Sequence, residues 1–148
     1  MREYKFRAWD KDYKEMYKVN SVHWDEFGVI DDITIINGFD DILVAGPGRV
    51  KCVELMQYTG VVDEKGVEIC EGDICKLSGE SCFMDEYIFL EEDWKLTTKV
   101  KENRVGYVFQ DINDYSVEIS FASTFYEDID IEIIGNIYEN PELLEVQE

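Results

Sequence analysis

Hydrophobic and polar positions alternate with a period of two along most of the chain, which predicts strands. Tyr4-Lys5-Phe6-Arg7-Ala8-Trp9 puts Tyr4, Phe6 and Ala8 on one face and Lys5, Arg7 and Trp9 on the other, the pattern of a half-buried strand. Polar Asp10–Lys14 reads as a turn and Glu15–Val19 as a second strand, giving an N-terminal hairpin with a basic surface. Beyond it, Asp25-Glu26-Phe27-Gly28, Asn37-Gly38 and Gly46-Pro47-Gly48 carry turn chemistry around the β-branched runs Val29–Ile36 and Ile42–Ala45.

The stretch Val50–Leu77 is the most regular. It reads as a strand (Val50–Tyr58), a turn (Asp63–Gly66), a short strand (Val67–Cys70), a tight Glu71-Gly72 turn and a further strand (Asp73–Leu77). Two turns so close together imply a β-meander or barrel corner. Ser78–Asn103 mixes acids, aromatics and bases without clean periodicity and reads as an excursion, either an added hairpin or a short helix near Glu86–Trp94. Val105–Gln110, Ser116–Phe121 and Ile129–Ile134 alternate again, and in the last of these Asp128, Asp130 and Glu132 interleave with isoleucines. Asn140-Pro141-Glu142 offers a helix cap, proline at the first helical position and an early acid, predicting a short C-terminal helix. No internal repeat is evident at this level. The fold class expected is mainly β, with α+β as the alternative, divided into a strand-rich subdomain (1–54) and an acidic, barrel-like subdomain (55–148) within one compact unit.

At 148 residues, with 45% hydrophobic residues and two prolines, the chain has the size and composition of a folded domain. Its formal net charge is −20, which argues against direct binding to nucleic acid or to anionic membranes, since both need surplus lysine and arginine. The charge is lopsided. Residues 1–54 hold 11 acids against 8 bases, residues 55–148 hold 23 against 6, and after Arg104 eleven carboxylates follow with no base. No apolar run approaches a membrane span, and the N-terminus lacks the apolar core of a signal peptide, so the expected location is the cytoplasm. There, Cys52, Cys70, Cys75 and Cys82 are expected as free thiols.

No catalytic constellation stands out. Without a C-x-x-C, and with His23 the only histidine and distant from the cysteines, no zinc site is expected. His23 has no marked nucleophile to serve. Asp111-Ile112-Asn113-Asp114 opens like a calcium loop, but Ser116 and Ala122 occupy the positions of its glycine and final glutamate. Gly46-Pro47-Gly48-Arg49 lacks the spacing of a phosphate cradle. Neither catalytic residues, cofactor nor metal are expected.

Three segments carry a resemblance: Met1–Asp10, then Leu55-Met56-Gln57-Tyr58-Thr59-Gly60 through Glu71-Gly72-Asp73-Ile74, and finally Ile134-Gly135-Asn136-Ile137-Tyr138-Glu139-Asn140-Pro141-Glu142-Leu143-Leu144. Their order and spacing resemble the YopX-like proteins of phages and prophages, across nearly the whole chain except Ser78–Asn103. The resemblance implies a phage or prophage protein in the bacterial cytoplasm and a strand-rich fold with a small SH3-like barrel after Leu55. It brings no assigned activity and no catalytic residues.

The expected function is therefore a non-enzymatic phage accessory protein that binds a protein partner, with homo-oligomers formed through strand edges as a further expectation. An alternative is an acidic mimic of DNA that blocks a DNA-binding protein. An enzyme working through carboxylates or a divalent metal is the remaining one. The residues nominated for an interaction surface are Asp128, Asp130 and Glu132 on the acidic strand, with the large amphipathic side chains Trp9, Tyr58 and Tyr138.

Overall fold

In the computed structural model, the described residues are 4–37, 40–46, 48–79, 82–85, 88–90, 94–104, 106–122 and 129–145. The strands among them are β1 (Phe6–Asp10), β2 (Glu15–Trp24), β3 (Ile30–Asn37), β4 (Asp40–Ala45), β5 (Val53–Val62), β6 (Glu68–Cys70), β7 (Asp73–Gly79), β8 (Cys82–Asp85), β9 (Ile88–Leu90), β10 (Trp94–Asn103), β11 (Gly106–Asp111), β12 (Glu118–Ser120) and β13 (Ile129–Asn136). The fold is mainly β, as the alternation predicts. It comprises two compact units, Met1–Tyr58 and Thr59–Glu148, with β5 running from one into the other.

In the first unit the strands lie in the order β4-β3-β2-β1-β5. β1 is antiparallel to both neighbours, pairing Trp9 with Met16 of β2 and with Glu54 of β5. Ala8, Ile33 and Val53 are its buried core, packed against Val19, Val22, Ile30, Val50 and Leu55. β2 runs on past the expected Val19 end, with irregularities at Val19/Ser21 and His23/Trp24 that shift the register where polar Asn20 and Ser21 interrupt the alternation. The strand expected from Val50 begins instead at Val53, because Val50–Cys52 form one 3-10 turn. Gly48 reverses the chain at φ +97°, Cys52 N–H donates to the Arg49 carbonyl at 2.8 Å, and Lys11 N–H donates to the Cys52 carbonyl at 3.0 Å. The expected Asn37-Gly38 turn falls partly outside the described residues.

The second unit holds a five-stranded antiparallel sheet in the order β12-β11-β10-β7-β13. Ile69, Cys75, Leu77, Val100, Phe109, Ile119, Phe121 and Ile131 form its buried core, with the Phe109 and Phe121 rings stacked at 4.1 Å between centroids. Val61 of β5 packs on this core too, so the β5–β6 hairpin covers one side of the sheet. Of the two forms expected for the excursion at Ser78–Asn103, the structure has the added hairpin, but the segment's second part is a regular strand of the sheet. The segment holds the hairpin β8–β9 and then β10, ten residues long and paired on both sides, with β7 and with β11. Thr98 hid this strand from the hydrophobic pattern. It occupies a core position between Leu96 and Val100, fully buried, and its hydroxyl is satisfied by donating to the Cys75 carbonyl at 3.0 Å.

The terminal helix is a single 3-10 turn, Pro141–Leu144. Asn140 precedes it but its side chain makes no cap to it. Its Oδ1 instead accepts the N–H of Asn136 at 3.2 Å, so the cap residue is spent on the end of β13 rather than on the helix.

Aspartates organise the corners, and this accounts for part of the charge. Asp10 Oδ1 accepts the amides of Asp12 and Tyr13 between β1 and β2. Asp73 Oδ2 accepts the amide of Cys70 between β6 and β7 at 2.8 Å. Asp111 Oδ1 accepts that of Asn113 after β11 at 3.0 Å, so the segment resembling a calcium loop is a hairpin turn. Asp10, Asp63, Asp73 and Asp111 are all buried. Asp10, Asp63 and Asp111 imitate a backbone turn by taking amides two or more residues ahead, whereas Asp73 reaches back across its turn to the Cys70 amide.

Two of these corners are copies of each other. Asp25-Glu26-Phe27-Gly28-Val29 and Asp63-Glu64-Lys65-Gly66-Val67 differ only at the third residue, a five-residue repeat too short to stand out from the surrounding alternation. In each, aspartate N–H donates to the valine carbonyl at 2.8 Å and glycine N–H to the aspartate carbonyl. In each, aspartate Oδ1 accepts the amides of the third and fifth residues at 2.8–2.9 Å. The glycines have φ of +79° and +80°, the left-handed conformation that closes such a turn.

Candidate interaction surface

β10, β7 and β13 lie side by side, and their registers bring residues from three distant parts of the chain into rows. Leu96, Leu77 and Ile131 form one row and turn inward to the core. Residues on either side of that row point the opposite way. They form a row of Thr97, Lys76 and Glu132 and a row of Lys95, Ser78 and Asp130. Together with Glu64 and the edges of Leu77 and Leu96 they line an open groove of about 340 Å³.

Positive charge stands on the β10 and β7 side of this groove, at Lys95 and Lys76, and negative charge on the β13 side, at Asp130, Glu132 and Glu64. Ser78 lies between Lys95 and Asp130 in its row, and Thr97 flanks Lys76 on the side away from Glu132. The bases are concentrated here: Lys76, Lys95, Lys99 and Lys101, four of the six bases after residue 54, share one face of β7 and β10. Lys101 pairs with Glu118 at 2.5 Å, and Lys99 lies over the Tyr115 ring at 4.9 Å. Glu118 is held below the usual carboxylate range, first by its hydrogen bond from Lys101 and further by Asn103 and Gln110, against the opposing effect of burial.

The β13 wall is fixed by the Asp63 turn. Glu64 N–H donates to the Ile131 carbonyl at 3.0 Å, Asp63 Oδ2 accepts the Ile133 amide at 3.4 Å, and Lys65 Nζ bridges to Glu132 at 3.2 Å. Three contacts therefore clamp the free edge of β13, which lies at the end of its sheet. Burial of Asp63 acts to raise its pKa, but the amides of Val67, Ile133 and Lys65 and the nearby Lys65 charge outweigh it and hold the carboxylate below its ordinary value.

The nominated residues fall in different places. Asp130 and Glu132 are on the groove wall, and Asp128 lies outside the described residues. Trp9 is buried in β1. Tyr58, in β5, lies under the Lys5 ammonium at 5.6 Å. Trp9 and Tyr58 belong to the first unit, and Lys5, which pairs with Tyr58 through its carbonyl at 2.8 Å, is four residues from Trp9, about 13 Å along a strand. Tyr138 follows β13 and donates its N–H to Asn136 Oδ1 at 3.0 Å. The lysines were missed, because nothing local in Lys76 or Lys95 announces that β13 will pair beside β7.

Among the described residues no three His, Cys, Asp or Glu side chains cluster closely enough to hold a metal ion. His23 is an exposed residue of β2 facing Asp32 across the pairing with β3. Cys52, Cys70 and Cys75 are free thiols. No helix among the described residues is long and apolar enough to cross a membrane.

A family model described as YopX protein matches residues 5–145. No curated protein matches the chain. Among solved structures, the crystal structure of protein EF1440 from Enterococcus faecalis is similar at 26% identity and a TM-score of 0.62, covering 98% of this chain and 100% of that one. The Gly135–Asn140 corner, the Asp63 turn and the Asp73 turn all lie inside the matched region.

Proposed function

The chain belongs to the YopX protein family, and from that membership and the charged groove we propose that it is a non-enzymatic protein-binding module, a phage or prophage accessory protein working in the bacterial cytoplasm. The observation that carries this reading is the two-signed lining of the groove, with Lys76 and Lys95 facing Asp130, Glu132 and Glu64 across three paired strands. A surface of this kind selects a partner by charge order, since a segment with its acids and bases reversed meets like charges. The partner fitting it is a protein segment that carries acidic side chains along one side and basic ones along the other.

Mimicry of DNA is less well supported. A DNA-like track needs uninterrupted negative charge, whereas Glu132 has Lys76 as its strand neighbour, Asp130 shares a row with Lys95 across Ser78, and Lys65 already pairs with Glu132. Four further aspartates, Asp10, Asp63, Asp73 and Asp111, are buried at corners and contribute no track. A carboxylate enzyme finds less support still, since the groove acids face lysines rather than one another.

The test is affinity purification of the tagged full chain from cells carrying its phage or prophage, at two salt concentrations. The reading expects a protein partner whose recovery falls with salt and drops about tenfold in K76E/K95E, while K18E on the first unit leaves it unchanged. Repeated purifications without an enriched partner would overturn it, as would enrichment indifferent to both salt and K76E/K95E. Competition by duplex DNA would transfer the reading to mimicry.

A further inference from the structure

Asp25 and Asp63 head turns of the same sequence pattern and the same hydrogen bonds, yet their outer faces differ. At Asp63 the turn holds a strand edge: Glu64 N–H meets the Ile131 carbonyl, Asp63 Oδ2 takes the Ile133 amide, and Lys65 lies over Glu132 between them. Docking leaves Asp63 only 6% exposed. At Asp25 the equivalent groups, Oδ2 and the Glu26 N–H, have no partner among the described residues, and Asp25 is exposed. The third residue is Phe27, 82% exposed, flanked by Trp24 at 55% and Val29 at 60%.

We propose that the β2–β3 turn is a docking element for an exposed strand edge of a partner protein, bound as the β5–β6 turn binds β13. The chain supplies its own template for the complex. Glu26 N–H donates to a carbonyl of the partner strand, and Asp25 Oδ2 accepts the N–H two residues on. Phe27 covers the side chain between those two groups, which on this partner is apolar where β13 has Glu132. Phe27 in place of Lys65 is what changes the specificity, exchanging an ion pair for apolar burial. The turn needs little ordering on binding, because Asp25 Oδ1 already fixes the amides of Phe27 and Val29. No residue of the groove takes part, so this surface stands or falls independently of the proposed function.

Two experiments on the full chain test it. The first converts the docked turn into a copy of the undocked one with K65F, and gives the edge it holds an apolar residue with E132L. The Glu64 amide is expected to keep its hydrogen-exchange protection within about tenfold of the parent. Loss of that protection in a folded double variant would overturn the proposal. The second titrates isotope-labelled full chain with a disulfide-closed β-hairpin peptide whose free edge presents Ile-Leu-Ile. Saturable shifts at the Glu26 amide and the Phe27 ring are expected, weakened about tenfold both by F27A and by N-methylation of the second isoleucine, which removes the donor to Asp25. An unmoved Glu26 amide, or an equal response to the N-methylated peptide, would sink the idea whether or not the double variant folds.

Discussion

Gly135 and Asn140 are packed so closely that a Cβ built on Gly135 would lie 2.5 Å from Oδ1 and 2.7 Å from Cγ of Asn140. Asn140 cannot simply swing away, because that Oδ1 accepts the Asn136 amide at 3.2 Å and its own N–H donates to the Asn136 carbonyl at 2.9 Å. Asn136 in turn takes the amides of Tyr138 and Glu139 on its side-chain oxygen and donates to Glu139 at 3.0 Å. The run Gly-Asn-Ile-Tyr-Glu-Asn is thus a self-contained corner that ties the end of β13 to the 3-10 turn, joined to the β6–β7 turn by Ile137 N–H donating to the Gly72 carbonyl at 2.8 Å.

Replacing Gly135 by alanine is expected to destabilise the chain by about 1–3 kcal/mol, the usual cost of forcing extra volume into a packed site. In an N140G background the obstructing side chain is gone, and the same substitution should cost under about 0.5 kcal/mol. Urea denaturation of the two single variants and the double variant measures the coupling. Equal costs in both backgrounds would mean the two residues do not compete for the same space.

The paired turns make a contrast between two identical substitutions. Asp63 uses both oxygens, one for the Lys65 and Val67 amides and the other for Ile133, so D63N points an amide group at a donor and should cost about 1–3 kcal/mol. Asp25 uses Oδ1 for both of its turn amides, a role that the asparagine oxygen fills equally well. D25N is expected to shift stability by less than about 0.5 kcal/mol. Thermal and urea unfolding of both variants decide it, and equal effects would remove the distinction between a docked and an undocked turn.

These corners also mark how far the sequence was readable. Alternation located most strands, and glycine clustered with Asp, Asn or Pro located the turns, because both signals are local. The role of the aspartates was not local: Asp63 looks like any loop acid until β13, far along the chain, arrives beside it. The acidic face of Asp130 and Glu132 was correctly read as one side of a strand, but its lysine neighbours come from β7 and β10, and pairing order leaves no trace in spacing. β10 was lost for a different reason. Its inward positions include Thr98, and a buried hydroxyl bonded to the Cys75 carbonyl is indistinguishable in sequence from an exposed one.

Acid should loosen the second unit through two carboxylates. Asp63 and Glu118 are both held below their ordinary pKa, the first by backbone amides that overcome its burial and the second foremost by Lys101. A depressed folded-state pKa contributes stability that is complete above the unfolded value, about 4, and is lost as pH falls through the folded value. K101M should therefore lower stability at neutral pH, by under about 1 kcal/mol for so exposed a pair, and the difference from the parent should vanish in strong acid. Urea midpoints compared at neutral and low pH check this. A gap that persists in acid would assign the effect to lost packing of the lysine stem.

At the other end of the pH scale the first unit carries its own reporter. The Tyr17 hydroxyl donates to Glu15, and that hydrogen bond, helped by burial and by the negative charges of Glu15 and Asp10, pushes its pKa up to about 12. Losing the proton would break the bond and set a phenolate beside a carboxylate. Because the folded pKa lies above the unfolded one, about 10, the contribution to stability is complete below that unfolded value and is lost as pH rises through about 12. The phenolate absorbance of the parent minus that of Y17F isolates this one titration. Its midpoint is expected at about 12, and E15A, which removes the hydrogen-bond acceptor together with its charge, should return it toward the ordinary tyrosine value. A parent midpoint already at the ordinary value would show that Glu15 does not hold the hydroxyl in solution.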